Sequence, residues 1–335
     1  MPPLIFRPFL LIAFNSFCLF ATNHHASAQT AAGPNIVVTG EEVPSAYGAP
    51  GAFSQSRFAT LTNAYVLPPG EVYTSLIYDN DVVHFRSPDH IFTQEVEIGL
   101  PYRFNVAIEN GVQRFDGTTQ DATFSFEARY AFADWDKIPL NPTVFAEYKI
   151  GIGRILHDEG APTPAVKFGP GGFDTSMDIP DAYELRLLLS EEFFGRIEWA
   201  LNTFFEQEIG GDRGREWGLA QSILTPLSFT HGQQPPADSK DAAPREAFHE
   251  DLKVGVEMQF RSFSDNTSRG TPYNSFVIGP TAAWKPTRAT RLDISPLFGV
   301  NHKSPELQLF VVFSYLFGAG EREAGGEAPA STRNR

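Results

Sequence analysis

Charged residues in this chain recur two or four positions apart, and their signs alternate. The runs are Glu127 with Arg129, Glu147 with Lys149, Glu184 with Arg186, Arg196 with Glu198, Asp251 with Lys253, Glu257 with Arg261, and Arg291 with Asp293. Even spacing puts both members of a pair on one face of a β-strand. Opposite charges on neighbouring strands can then pair across a shared interior. Two kinds of chemistry fit that pattern. One is a charge network that fills and braces a polar interior. The other is an electrostatic constriction that selects solutes.

Signals for catalysis are thin, and no catalytic residue, metal site or cofactor is expected. His302-Lys303-Ser304 lies near the outer end of an expected strand, where a His and a Ser two apart would share a face. This resembles the His-x-Ser of outer-membrane phospholipase and lipid A deacylase barrels. Those continue with Asn, where this chain has Pro305, and no partner carboxylate is identifiable. His249-Glu250 lacks the second His of a zinc-protease helix, and Gly151-x-Gly153 lacks the third Gly of a dinucleotide loop. The stretch Arg154–Pro180 holds His157, Asp158, Glu159, Asp174 and Asp178, with Asp181 just beyond, but their spacing matches no EF-type calcium loop. It could instead fold inward as a constriction or remain a surface loop.

The elements that position these charges are strands. In Tyr183–Glu208, Tyr183, Leu185, Leu187 and Leu189 alternate with Glu184, Arg186, Ser190 and Glu192. After Phe194-Gly195, where a tight turn fits, Ile197, Trp199, Leu201, Thr203 and Phe205 alternate with Arg196, Glu198, Asn202, Glu206 and Glu208. Period two means strand. Each run is about 10–12 residues, the length of a tilted strand that crosses a bilayer.

Similar runs fill the chain from residue 70: 71–82, 90–100, 103–114, 121–133, 142–153, 181–192, 195–208, 213–225, 249–262, 273–285, 289–300 and 306–317. Twelve is an even number, as bacterial barrels require for both termini to lie on one side. Gln221 blurs the apolar face of its run, while Pro280 and Pro296 each remove a ladder donor inside theirs. With a periplasmic start, the turns at 100–103, 192–195 and 285–289 are periplasmic and short. The Pro-rich loop 226–248 is long on that same side.

The ends read differently. Arg7, the apolar run Pro8–Ala21 and Ala26-Ser27-Ala28 read as a signal peptide, 1–28, cleaved on export. The only Cys, Cys18, lies within it, so the mature chain has no disulfide. Residues 29–69 read as a periplasmic lead-in. Its Ile36-Val37-Val38-Thr39-Gly40 resembles the box of TonB-dependent receptors, although the chain is too short for their 22-stranded barrel. Residues 70–317 read as the barrel and 318–335 as a polar tail. The formal net charge of −14 excludes the basic footprint of a nucleic-acid binder.

The last run, Glu306–Phe317 (ELQLFVVFSYLF), resembles the aromatic-ended terminal strand of Gram-negative outer-membrane barrels. VLPPGEVYTSLIYDN (66–80) and EVEIGLPYRFNVAIENGV (95–112) further resemble the outer-membrane proteins grouped with the MetA pathway of phenol degradation. That resemblance implies an all-β antiparallel barrel in the outer membrane. It also implies lipid as its surroundings and a porin-like role for small, apolar or aromatic solutes.

Overall fold

The computed structural model of the protein describes residues 47–49, 65–82, 88–155, 178–194, 197–210, 213–227, 252–266, 269–287 and 289–317. Outside them lie the expected signal peptide, the 36–40 segment, His249, the tail 318–335 and most of the loops 154–180 and 226–248. Arg196 and Asp251 also lie outside the described residues.

Period-two segments become twelve strands. They are β1 (Val72–Val82), β2 (Asp89–Leu100), β3 (Phe104–Phe115), β4 (Thr118–Ala131), β5 (Thr143–Gly151), β6 (Asp181–Phe193), β7 (Ile197–Ile209), β8 (Arg215–Pro226), β9 (Leu252–Ser264), β10 (Tyr273–Thr287), β11 (Thr290–Gly299) and β12 (Leu307–Phe317). Every strand pairs antiparallel with its neighbours in sequence. β1 pairs with β12 from Val72↔Phe317 to Val82↔Leu307 and closes the barrel. Closure leaves no strand edge, so the ladder groups pair within the sheet except where a strand pair is locally interrupted.

The outer face is apolar and exposed. Leu185, Phe126, Trp217, Val256 and Phe313 all project outward, and such a belt belongs in lipid rather than water. At the end where β1 begins and β12 finishes, the turns present Tyr102 and Phe194, 83% and 90% exposed, where aromatic rings suit the membrane interface. Gln221 does sit on the outer face of β8, half-buried between its neighbours.

The two prolines meet. Pairing between β10 and β11 lapses between Ile278↔Phe298 and Ala282↔Ile294, and the same register sets Pro280 opposite Pro296. Side chains hold this seam from inside: Thr281 Oγ1 and Ser295 Oγ share a hydrogen bond of 2.6 Å, and Ser295 Oγ donates to Glu257 Oε2 at 3.2 Å.

Part of the lead-in enters the barrel at the terminal end. Leu67 packs on Tyr73 and Leu316 of the inner wall, and its N–H donates to Asn105 Oδ1 at 2.9 Å. Tyr65 packs on Ala131 and edge-on against Trp135, with its hydroxyl donating to the Ala133 carbonyl. Gly99 makes room: a Cβ there would meet the Pro68 carbonyl oxygen at 2.0 Å. Tyr47 staples the neighbouring turn. Its hydroxyl accepts from Arg103 N at 2.9 Å and donates to Leu100 O at 3.2 Å, beside the positive φ of Tyr102 and Arg103.

Two outcomes follow. Burial, and then Asp134, push the Tyr65 hydroxyl up to about 12. The folded state therefore keeps a proton that the unfolded chain loses near pH 10. Stability from this contact should be complete below pH 10 and fall between about 10 and 12, an alkaline decline that Tyr65→Phe removes. Ser295→Ala should lower the urea midpoint of the folded barrel by the equivalent of about 1–3 kcal/mol, since it removes the buried hydroxyl that Thr281 and Glu257 share at the seam. An unchanged midpoint would show that the seam does not depend on this contact.

Candidate functional site

Cross-strand register stacks the inner face into layers about 7 Å apart, the rise of two strand residues. One layer runs across β2–β8 as Glu97, Ala107, Glu127, Glu147, Glu184, Glu206 and Glu216, each directly opposite the next. Like charges facing each other across strands destabilise a sheet unless cations intervene. The next layer toward the terminal end supplies them. It reads Asn105, Arg129, Phe145, Arg186, Phe204, Gly218 and Arg261. Lys149 comes from the layer on the opposite side of the acids.

Arg129 is the most enclosed of these cations, its side chain 1% exposed. It reaches Glu97 at 2.8 Å, Glu127 at 2.9 Å and Glu95 at 3.2 Å. The Glu97 contact passes over β3, which is open to it because Ala107 sits between the two glutamates. Ser75 donates to Glu95 at 2.5 Å, and Asn105 Nδ2 donates to Glu97. Leu67 N–H bonds the same Asn105, so the lead-in is tied directly to the charge network.

Glu95, Glu109 and Glu127 each bring an oxygen within 4.8 Å of the others. Such a set could hold a metal ion, but Arg129 already supplies positive charge to two of the three.

Arg186 binds Glu184 on its own strand and stacks its guanidinium 4.4 Å from the Phe145 ring, with Arg129 on the same ring at 5.5 Å. Ring and cation attract electrostatically, most strongly where water is excluded. Phe204 fits this layer because residue 218 is glycine. A Cβ there would meet Phe204 Cζ at 2.7 Å.

The network opens toward β7–β9. Lys149 bridges Glu184 at 3.1 Å and Glu206 at 2.5 Å, with Lys149 25% and Glu206 29% exposed. Arg261, 34% exposed, grips Glu216 with two nitrogens. Lys253 reaches Glu198 over β8, while Arg291 and Asp293 pair along β11 at 2.7 Å. All the expected interior charges that fall on described residues therefore face inward. Arg186 and Arg291 differ from a purely cross-strand pairing, because their closest carboxylates lie two residues away on the same strand.

Several inner-face residues were missed in the sequence. Glu95 and Glu97 alternate with Val96 and Ile98, Glu109 follows Ile108 in the same period, and Glu206 shares the polar face of Glu198 and Asn202, so the signal is present in the sequence. Glu216 was hidden because Gln221 spoils its strand's alternation. The far wall was also missed. Val277, Leu297 and Phe310 of β10–β12 point inward and pack together. The inner face of β12 mixes Phe310, Val312 and Leu316 with Gln308 and Ser314, so its apolar residues do not stand out from the alternation.

The His302–Ser304 expectation is corrected. Both residues lie in the β11–β12 turn rather than on a strand. His302 is exposed, and Ser304 Oγ donates to Phe276 O and accepts from Phe276 N, each at 2.8 Å.

No protein-family model matches the chain, and no curated protein matches it. Solved structures with a related architecture include an outer-membrane channel from Pseudomonas putida F1, with 9% identity over 76% of this chain and 98% of that one, at a TM-score of 0.46. The NanC porin follows at 8% identity, 73% and 98% coverage and a TM-score of 0.42. LpxR from Salmonella typhimurium has 11% identity, 73% and 99% coverage and a TM-score of 0.36. The similarity is one of fold.

Arg129→Leu would leave buried carboxylates without their cation and should cost about 3–5 kcal/mol of barrel stability. The deficit should shrink as pH falls toward the carboxylate range, about 4, because protonated acids no longer repel. Equilibrium unfolding at neutral and acidic pH checks it. A pH-independent deficit would mean lost packing, not lost charge.

Proposed function

We propose that the protein is an outer-membrane, porin-like channel for small solutes, with a preference for cations. One observation carries this reading: the charge network is sealed at Arg129 and open to solvent at Lys149, Glu206 and Arg261. A purely structural brace has no need for its charges to face water. The row of directly opposed glutamates makes the water-facing side a region of negative potential, which attracts cations and repels anions. The apolar wall of Val277, Leu297 and Phe310 faces the same interior and suits solutes with apolar or aromatic surface. That agrees with the class implied by the resemblance to the MetA-type proteins.

The sealed half favours bracing as a second role for the same network. Arg129, Glu95, Glu97 and Glu127 cross-link β2 and β4 and hold the lumen's shape, while the β5–β9 side borders the path.

Planar-bilayer recording tests the proposal. The folded protein should conduct K⁺ in preference to Cl⁻, read from the reversal potential in a KCl gradient. Glu206→Gln should lower that preference several-fold with little effect on folding, as Glu206 is part-exposed. Absence of conductance, together with absence of solute uptake into vesicles, would leave only the brace.

A further inference from the structure

The outward face of the barrel carries a cationic patch at the end away from the start of β1 and the finish of β12. Arg215 opens β8 and shares its face with Trp217 and Ile223, 53% and 45% exposed, so it projects outward. Register continues its level across the neighbouring strands as Tyr148, Tyr183, Gln207, Arg215 and Ser264. One level nearer the middle of the barrel stand Leu185, Phe205, Trp217 and Ser262. Trp217 meets the Phe260 ring there at 5.4 Å. Tyrosines with a polar tip mark the depth at which hydrocarbon gives way to headgroups. Arg215 therefore stands at headgroup depth.

Two more arginines join it from the connections. Arg269, between β9 and β10, donates from Nη2 to the Arg213 carbonyl at 2.6 Å. Its Nη1 donates to the carbonyl and the Oγ of Ser264, each at 3.3 Å. Ser264 lies directly opposite Arg215. Arg213, between β7 and β8, is exposed, as is Arg215, whose Nε–H donates to the neutral Gln207. Elsewhere, Arg103, Arg129, Arg186, Arg261 and Arg291 each reach a carboxylate. Arg213, Arg215 and Arg269 pair with none among the described residues. Glu208 and Glu216 adjoin the patch in sequence but belong to the inner face, where Glu208 accepts from Gly214 N–H and Glu216 is held by Arg261. Asp181 is on the outer face, engaged by the Tyr148 hydroxyl at 3.1 Å and Gly151 N–H at 3.0 Å. Gathered cations repel one another. The chain has 40 acids and 26 bases, so a cluster left without carboxylates points to an anion from outside.

We propose that this patch binds the headgroup of lipid A, the acylated, doubly phosphorylated disaccharide of the outer leaflet. A guanidinium group meets phosphate oxygens with paired N–H donors, and three of them can serve more than one phosphate. The Ser264 hydroxyl can turn its O–H to a sugar oxygen. Acyl chains then lie along Phe205, Trp217 and Phe260. A phospholipid brings a single phosphate and would leave part of the cluster without a counter-charge. The patch also lies at the end that faces the outer leaflet when the chain starts in the periplasm. The inference rests on the outer-membrane location and is independent of conductance.

Native mass spectrometry of delipidated protein in detergent reads the binding. Diphosphoryl lipid A is the probe, with monophosphoryl lipid A, phosphatidylglycerol and inorganic phosphate for comparison. Diphosphoryl lipid A should bind saturably, and loss of one phosphate should weaken binding about tenfold, as charge-assisted hydrogen bonds are lost. Phosphatidylglycerol should bind more weakly still, and inorganic phosphate should not displace the lipid. Arg213→Gln, Arg215→Gln and Arg269→Gln should each weaken lipid A binding about tenfold. Arg215→Lys should restore only part of the loss, because it keeps the charge without the planar fork. Lys137→Gln, at the opposite rim, should change nothing. If Arg269→Gln does not fold, because it also ties two connections together, the two exposed arginines carry the test. Unaltered lipid A binding in the arginine variants would overturn the site. So would phosphatidylglycerol binding as tight as that of lipid A, or displacement of the lipid by inorganic phosphate.

Discussion

Closure of the sheet is the constraint on which everything else depends. β1 pairs with β12 over eleven positions, so no backbone edge remains to be satisfied by water or by another chain. In a bilayer this is the condition for a sheet to exist at all, since an unpaired N–H or C=O in hydrocarbon costs several kcal/mol. Closure also divides every strand into a face for lipid and a face for the interior. The polar half of each amphipathic strand has nowhere to go but inward, and twelve strands make a narrow interior. Crowded charges there must find partners.

How they do so explains the lumen's composition. Glutamates directly opposite one another from β4 to β8 would repel, yet arginines and Lys149 enter from the layers on either side. Small residues make this interleaving possible. Ala107 lets Arg129 span β3, and Gly218 gives the Phe204 ring its place. Phe145 lies beneath two guanidinium groups and helps keep them flat. The lead-in joins the same network through Leu67 and Asn105, so ordering of the terminal mouth is coupled to ordering of the charges. The seam at Pro280 and Pro296 shows the converse case. Where the backbone ladder is interrupted, Thr281, Ser295 and Glu257 hold the wall with side-chain hydrogen bonds.

Function and stability pull in different directions within this interior. The Arg129 end is enclosed and suited to holding shape. The Lys149, Glu206 and Arg261 end meets solvent and is suited to ions. On β10–β12, Val277, Leu297 and Phe310 form an apolar patch among polar inner residues such as Ser295, Arg291 and Asp293.

The amino-acid sequence by itself determined the strands, their number and which residues face lipid. Those are local properties, set by a period of two within each segment, and Leu185, Phe126 and Val256 declare them without reference to any other strand. It also placed Glu127, Arg129, Glu147, Lys149, Glu184 and Arg186 on the interior side. The tertiary structure alone decided which of these charges meet. Register between strands is a non-local property: a shift of two residues would keep every face and still separate Glu147 from Glu184. For the same reason the meeting of Pro280 with Pro296, the span of Arg129 to Glu97, and the gathering of Arg213, Arg215 and Arg269 could not be seen in the sequence. The inner wall of β12 was hidden for a different reason. Phe310 and Val312 share their face with Gln308 and Ser314, so its polarity is mixed, and only closure of the barrel sets Phe310 against Val277 and Leu297.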